Sequence, residues 1–188
     1  MAGYRLTAPL GPERLVLRAY REDDFDAVFA MRSSPAVARY LYWEPQAESE
    51  VRRTLAFKVE SVSLEAQGDV LALAAEHRES GVLVGDVILR WVSLEHGLGE
   101  IGYIVHPDHA GHGYATEMAR PLLAVAFDGV GLHRVIGSVQ HENTASVRVL
   151  EKLGMRREAH FVENEFVKGE WQSELVYAIL AEEWREQR

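Results

Sequence analysis

A single stretch limits what this chain can be: His106-Pro107-Asp108-His109-Ala110-Gly111-His112-Gly113-Tyr114-Ala115-Thr116-Glu117. The apolar run before it predicts a strand that ends at Val105, and the pattern after Gly113 predicts a helix. A glycine turn that opens a helix directs several backbone N–H groups at one point, at the positive end of the helix dipole. Such a point suits a phosphate or diphosphate. Glycine is needed because a side chain would bar close approach and disfavour positive φ. The turn therefore predicts a nucleotide-like anion as ligand.

The rest of the pattern sets the architecture around that turn. Hydropathy predicts strands at residues 13–20, 70–77, 82–92, 99–105 and 134–140, and a final hairpin of 155–167 with 174–180. Helices are predicted at 23–32, 48–66, 115–127 and 144–153, the second closed by Gly68 and the last by Gly154. Residues 40–45 form an aromatic loop. The order β-α-α-β-β-β-α-β-α-β-β describes a mixed α/β fold with helices on the faces of one sheet. It is not an alternation of β-α units, which argues against a doubly wound nucleotide-binding sheet. The turn also lacks the lysine of a P-loop, and no G-x-G-x-x-G is present.

The chain of 188 residues suits one domain with its own core, spanning 1–188. It has no cysteine, so disulfides, thiolate nucleophiles and cysteine-bound metals are excluded. No apolar run is long enough for a membrane-spanning helix, and the N-terminus lacks a signal-peptide pattern. A cytoplasmic protein without membrane partners is expected. The net charge of −9 argues against nucleic-acid binding and favours cationic partners such as an amine or a basic peptide.

Three segments taken together resemble a known family. They are Gly111-His112-Gly113-Tyr114-Ala115-Thr116-Glu117, then Gly131-Leu132-His133-Arg134, then Glu142-Asn143-Thr144-Ala145-Ser146-Val147-Arg148-Val149-Leu150-Glu151-Lys152-Leu153-Gly154-Met155. They resemble the GNAT superfamily of acyl-CoA-dependent N-acetyltransferases, and within it the branch of ribosomal-protein N-terminal acetyltransferases. The element order agrees with it over nearly the whole chain. The resemblance implies a central, mostly antiparallel sheet of about seven strands with helices on both faces. In that sheet the strand ending at Val105 splays from the strand 134–140. It implies acetyl-CoA as donor, with coenzyme A as product and no metal.

Coenzyme A would lie in the splay. Its pantetheine amides would pair with backbone at Ile104 and Val105, in the manner of a strand added to an open edge. Its diphosphate would sit on the N–H groups of Gly111, His112, Gly113, Tyr114 and Ala115, with Ala110 among the residues bordering the cofactor. The family pattern Q/R-x-x-G-x-G/A has Ala110 at its first position here, so the polar side chain usual there is missing while the backbone cradle is kept. Asn143 would hold the pantetheine arm or cap the following helix; one residue can do both. Lys152 and Arg148 are cationic candidates for the phosphates, against the alternative of solvated surface charges.

Acyl transfer to nitrogen requires a neutral amine. An α-amino group has a pKa of roughly 7.7–8.0 and a lysine about 10.4, so a lysine asks more of a base. Glu100, at the start of the strand leading into the turn, is the candidate base and also an acceptor-binding residue, acting through a water. A backbone N–H near Val105 would stabilise the oxyanion. Many relatives carry a tyrosine seven residues after the asparagine as the thiolate's proton donor. That position is Leu150 here, and Ser146 is the candidate in its place. Tyr42 and Trp43 in the aromatic loop would line the acceptor side, opposite acidic residues Glu163, Glu165 and Glu170 of the final hairpin. His106, His109 and His112 are not aligned by a helix, because Pro107 and the glycines prevent one, and no metal is expected at them.

The acceptor is expected to be a protein N-terminal or lysine amine. A small amine, such as a polyamine or an amine antibiotic, is the alternative within the enzyme class. A non-catalytic acyl-CoA-binding sensor is the alternative outside it. A homodimer is a family-level expectation.

Overall fold

The computed structural model describes residues 2–11 and 13–187. Strands β1 (Tyr4–Arg5) and β3 (Ser63–Leu64) form a small antiparallel pair. The main sheet comprises β2 (Leu15–Arg18), β4 (Val70–His77), β5 (Leu83–Ser93), β6 (Leu98–Val105), β7 (Arg134–Gln140), β8 (Arg156–Val167) and β9 (Glu170–Leu180). Its order is β2-β4-β5-β6-β7-β9-β8. Helices α1 (Phe25–Arg32), α2 (Pro35–Ala38) and α3 (Glu48–Glu60) precede β4, α4 (Tyr114–Ala124) joins β6 to β7, α5 (Thr144–Lys152) follows β7, and α6 (Ala181–Glu186) closes the described chain.

Side-chain alternation divides the core into two layers. On β4, Leu71, Leu73 and Ala75 join Met118, Leu122 and Leu123 beneath α4, while Ala72 and Ala74 point the other way, to Val28, Met31, Val51 and Leu55 of α1 and α3. Burying each such leucine or valine contributes about 1.5–3 kcal/mol.

One junction in the sheet differs from the rest. Strands β6 and β7 run parallel and pair only at Leu98 with Arg134, Gly99 with Val135 and Glu100 with Ile136. Beyond Glu100, β6 stays paired with β5 as far as Val105, and β7 stays paired with β9 as far as Gln140. Residues 101–105 and 137–140 therefore diverge, which is the splay that the family resemblance implied.

The largest departures from the sequence expectation are at the ends of α3 and α4 and the start of β9. The helix predicted at 48–66 ends at Glu60. The Ser61 hydroxyl donates to the Phe57 carbonyl, 2.7 Å, and the Ser61 carbonyl accepts the Ala72 amide, 2.8 Å, so β4 takes over the backbone that would have continued the helix. Residues 63 and 64 then leave to pair with β1. Helix α4 ends at Ala124 rather than residue 127 and widens into a π-type turn over Val125–Val130, which follows the donor-less Pro121 within the helix. Strand β9 begins at Glu170, four residues early, because Trp171 packs edge-on against Phe166 across the hairpin at 5.3 Å.

Candidate active site

The glycine turn lies where the sequence places it. Gly111 and Gly113 both have φ near +82°, and Gly113 is the residue that opens α4. The first bond of the helix runs from the Glu117 amide to the Gly113 carbonyl, 3.1 Å. The amides of Tyr114, Ala115 and Thr116 thus have no acceptor within the helix and face whatever binds at its start. Ala110 ends the short turn over Pro107–His109. The His112 ring stacks on Tyr114, centroids 5.7 Å apart, and is exposed. Among the described residues, no group of three or more His, Asp or Glu side chains is arranged to hold a metal ion.

Arg14, unremarked in the sequence, braces this turn. Its backbone amide and Nε donate to the two carboxylate oxygens of Glu117, each at 2.8 Å, and its Nη2 donates to the His112 carbonyl at 3.0 Å. Its guanidinium also lies 4.8 Å from the Tyr114 ring centre. A carboxylate in the first turn stabilises the helix but would repel an anion sharing the same amides. Arg14 neutralises that carboxylate and fixes the carbonyl between the two glycines. The Arg14→Ala variant is expected to weaken acetyl-CoA binding about tenfold, about 1.4 kcal/mol, with kcat little changed. Calorimetry and saturation kinetics check this, and an unchanged Kd would remove Arg14 from the account.

Across the splay, Asn143 caps α5, its Oδ1 accepting the Ser146 amide at 3.1 Å. The cap uses only the oxygen, so the amide nitrogen remains for a ligand. Ser146 is half-buried in the first turn of α5. Tyr103, from β6, donates its hydroxyl to the Ser146 carbonyl at 3.0 Å and thereby spans the gap. Ile104 and Val105 pair only with Asp86 and Gly85 of β5, so their other edge is open toward β7. Lys152 is exposed; its carbonyl accepts Arg120 Nη2 at 3.2 Å, and the structure does not bring its side chain into the turn by any contact.

The opposite face of β6 carries Glu100. It is half-buried, with Arg90 of β5 3.8 Å away, a loose pair. Tyr42 reaches over from the aromatic loop and donates to Glu165 at 2.8 Å. Burial, that hydrogen bond, and the charges of Glu165, Glu174 and Glu100 together push its phenol well above the ordinary range. Only Glu165 touches Tyr42, which is largely exposed; Glu174 and Glu100 act on it through their charge alone. Of the hairpin acids expected here, Glu165 takes part, Glu163 and Glu170 are exposed, and Glu174 was missed. Trp43 lies under the Arg32 guanidinium at 4.6 Å. Deeper, Lys58 Nζ meets Asp86 Oδ2 at 2.6 Å, both side chains buried.

A groove of about 1070 Å³ runs along the outer side of α4 between Leu10, Pro121 and Trp184. It borders the turn at Gly113 and Glu117 but contains no residue of β6, β7 or α5. The open splay, not this groove, joins the amide turn to Glu100.

The acetyltransferase (GNAT) domain profile matches residues 14–156. The chain belongs to the GNAT acetyltransferase family. This GNAT protein is 33% identical over 172 residues to the uncharacterized N-acetyltransferase YnaD of Bacillus subtilis (strain 168), covering 92% of this chain and 96% of that protein. A crystal structure of a GNAT acetyltransferase from Bacillus anthracis superposes with a TM-score of 0.83 at 32% identity, covering 93% of this chain and 99% of that one. The spermidine N-acetyltransferase of Vibrio cholerae, solved with CoA and spermine, shares the fold with a TM-score of 0.78 at 24% identity, covering 92% and 98%. The protein is thus an acetyl-CoA-dependent N-acetyltransferase of the GNAT family with its seven-stranded sheet.

Proposed function

We propose that this GNAT enzyme transfers the acetyl group of acetyl-CoA directly to the primary amine of a small molecule carrying more than one positive charge, of the polyamine kind. The observation that supports this reading is the acidic field at Tyr42, whose hydroxyl donates to Glu165 and whose phenol is also raised by the charges of Glu174 and Glu100. Three carboxylates whose charges act on one side chain favour an ammonium-rich ligand there over a neutral or anionic one. The donor would lie in the splay, its diphosphate on the amides of residues 111–115 and its pantetheine along Ile104 and Val105. Asn143 would hold the arm, and an amide near Val105 would stabilise the oxyanion. Bringing amine and thioester together in this geometry supplies much of the rate.

Glu100 would orient the ammonium and take its proton through a water. The surrounding carboxylates also raise the amine's pKa, so attraction and activation oppose one another and the base matters more. The Glu100→Gln variant is expected to lower turnover by about 10²–10³ with a lysine-like amine and by about tenfold less with an α-amine. Equal losses for both acceptors would count against a base role.

The test of the acceptor class is a comparison of kcat/KM for spermidine, n-butylamine and a peptide with a free N-terminus. Spermidine is expected to lead by at least about tenfold at low salt, and its lead is expected to shrink as salt rises. A lead for the peptide would restore the ribosomal-protein branch as the better assignment. Binding of acetyl-CoA with no amine-dependent turnover would favour a sensor.

A further inference from the structure

We infer that Tyr103 donates the hydrogen bond that stabilises the departing thiolate, a task for which α5 offers no phenol. The inference rests on acetyl-CoA occupying the splay. Leu150, at the α5 position where a tyrosine would stand, is 1% exposed. It is wedged against the β7 backbone so closely that a Cβ on Gly137 would come within 2.7 Å of its side chain. The helix therefore turns a packed methyl group toward the sheet at that point.

Tyr103 approaches the same first turn of α5 from the other wall. It stands three residues past Glu100, beyond the last β6–β7 pair, so strand alternation puts the two side chains on opposite faces of β6. Contacts agree: Tyr103 packs with the core under α4, whereas Ile104 packs with the core under α1 and α3. Acyl transfer needs this arrangement, because the amine arrives from one side of the carbonyl carbon and the sulfur departs on the other. The Tyr103 hydroxyl lies 3.0 Å from the Ser146 carbonyl. Rotation about its Cζ–Oη bond redirects the hydrogen from that carbonyl into the gap.

Burial pushes the phenol above its ordinary range, although its bond to Ser146 pulls the other way. Tyr103 therefore keeps its proton and acts as a donor. The nitrogen lone pair forms the new C–N bond. The C–S pair leaves on sulfur, held by the Tyr103 O–H. The nitrogen gives up two protons to water under Glu100, one from the ammonium before attack and one after the C–N bond has formed, and the thiolate takes one proton from solvent on release. The sum is an ammonium and a thioester giving an amide, a thiol and one proton.

The experiment compares Tyr103→Phe with the unmodified protein by three readouts: saturation kinetics, thermal melting, and the thiol pKa of bound CoA from thiolate ultraviolet absorbance. The expected result is a kcat reduced about 10–100-fold, with KM for acetyl-CoA within about twofold and melting little changed. The bound thiol's pKa is expected to be about one unit higher in Tyr103→Phe. An unchanged thiol pKa, an unchanged kcat, or a loss confined to KM or to melting overturns the inference. If CoA does not bind the unmodified protein, the acetyl-CoA reading fails first and this inference falls with it.

Discussion

Replacing Gly113 with valine is expected to abolish acetyl-CoA binding, with Kd raised at least about 100-fold, while the protein stays folded. Two effects combine. Gly113 opens α4 at φ near +82°, where a residue with a side chain costs about 1–2 kcal/mol and a β-branched one more. The backbone can relieve that strain only by rotating the first amides of the helix away from their common focus. The second effect acts on the ligand. A Cβ on Gly113 would have only Arg14 Nη2 nearby, at 3.8 Å, so the fold tolerates it, but the added methyls would project into the space the amides face. Calorimetry paired with a melting curve separates the two. A folded variant with unchanged affinity would strip the turn of its assigned role.

The second large effect concerns the floor of the acceptor face. Lys58→Met is expected to cost about 3–5 kcal/mol of stability. Lys58 and Asp86 are paired at 2.6 Å with both side chains buried, and Asp86 is the β5 partner of Ile104. Removing Lys58 takes away the cation in direct contact and leaves the buried carboxylate with the Tyr20 phenol, which is pushed up by burial and by the Asp86 charge, and with the less intimate charge of Arg32. The pair itself need not be stabilising, since its desolvation is costly. The prediction is therefore sharper for the double variant: adding Asp86→Asn should recover more than half of the loss. Urea unfolding checks both. A loss below about 1 kcal/mol in Lys58→Met would mean that Arg32 and Tyr20 suffice to hold the Asp86 charge. Because the pair ties α3 to β5 beside the splay, the single variant should also raise KM for the amine.

What could be read in the sequence was local, and what could not was long-range. Gly111, Gly113 and Gly154 declare themselves because positive φ is written into one residue. Asn143 does so because a capping oxygen and the amide that donates to it are three residues apart. The strand Arg134–Gln140 was legible to the residue. Arg14 was not, since its partners Glu117 and His112 lie about a hundred positions away and only the fold joins them. Tyr103 was overlooked for the same reason: a tyrosine in a strand carries no sign of the helix turn it will meet across a gap. Glu174 sits in a stretch that reads as ordinary alternation, and only the hairpin register brings it near Tyr42. The overlong helix at 48–66 shows tertiary pairing overriding a continuous helical pattern, because residues 61–64 are claimed by β4 and β1. Helix α6 was missed although Glu183 caps it through the Leu180 amide at 2.7 Å, a signal three residues long that was available.

The central claim is that the amides at the start of α4 and the open edge of β6 together hold the acyl donor. The most direct measurement is a crystal structure of the protein with CoA. The account predicts the diphosphate on the amides of residues 111–115, the pantetheine along Ile104 and Val105, and the sulfur beside Tyr103 and Ser146. Density for CoA in the groove outside α4, with the splay between β6 and β7 empty, would contradict it.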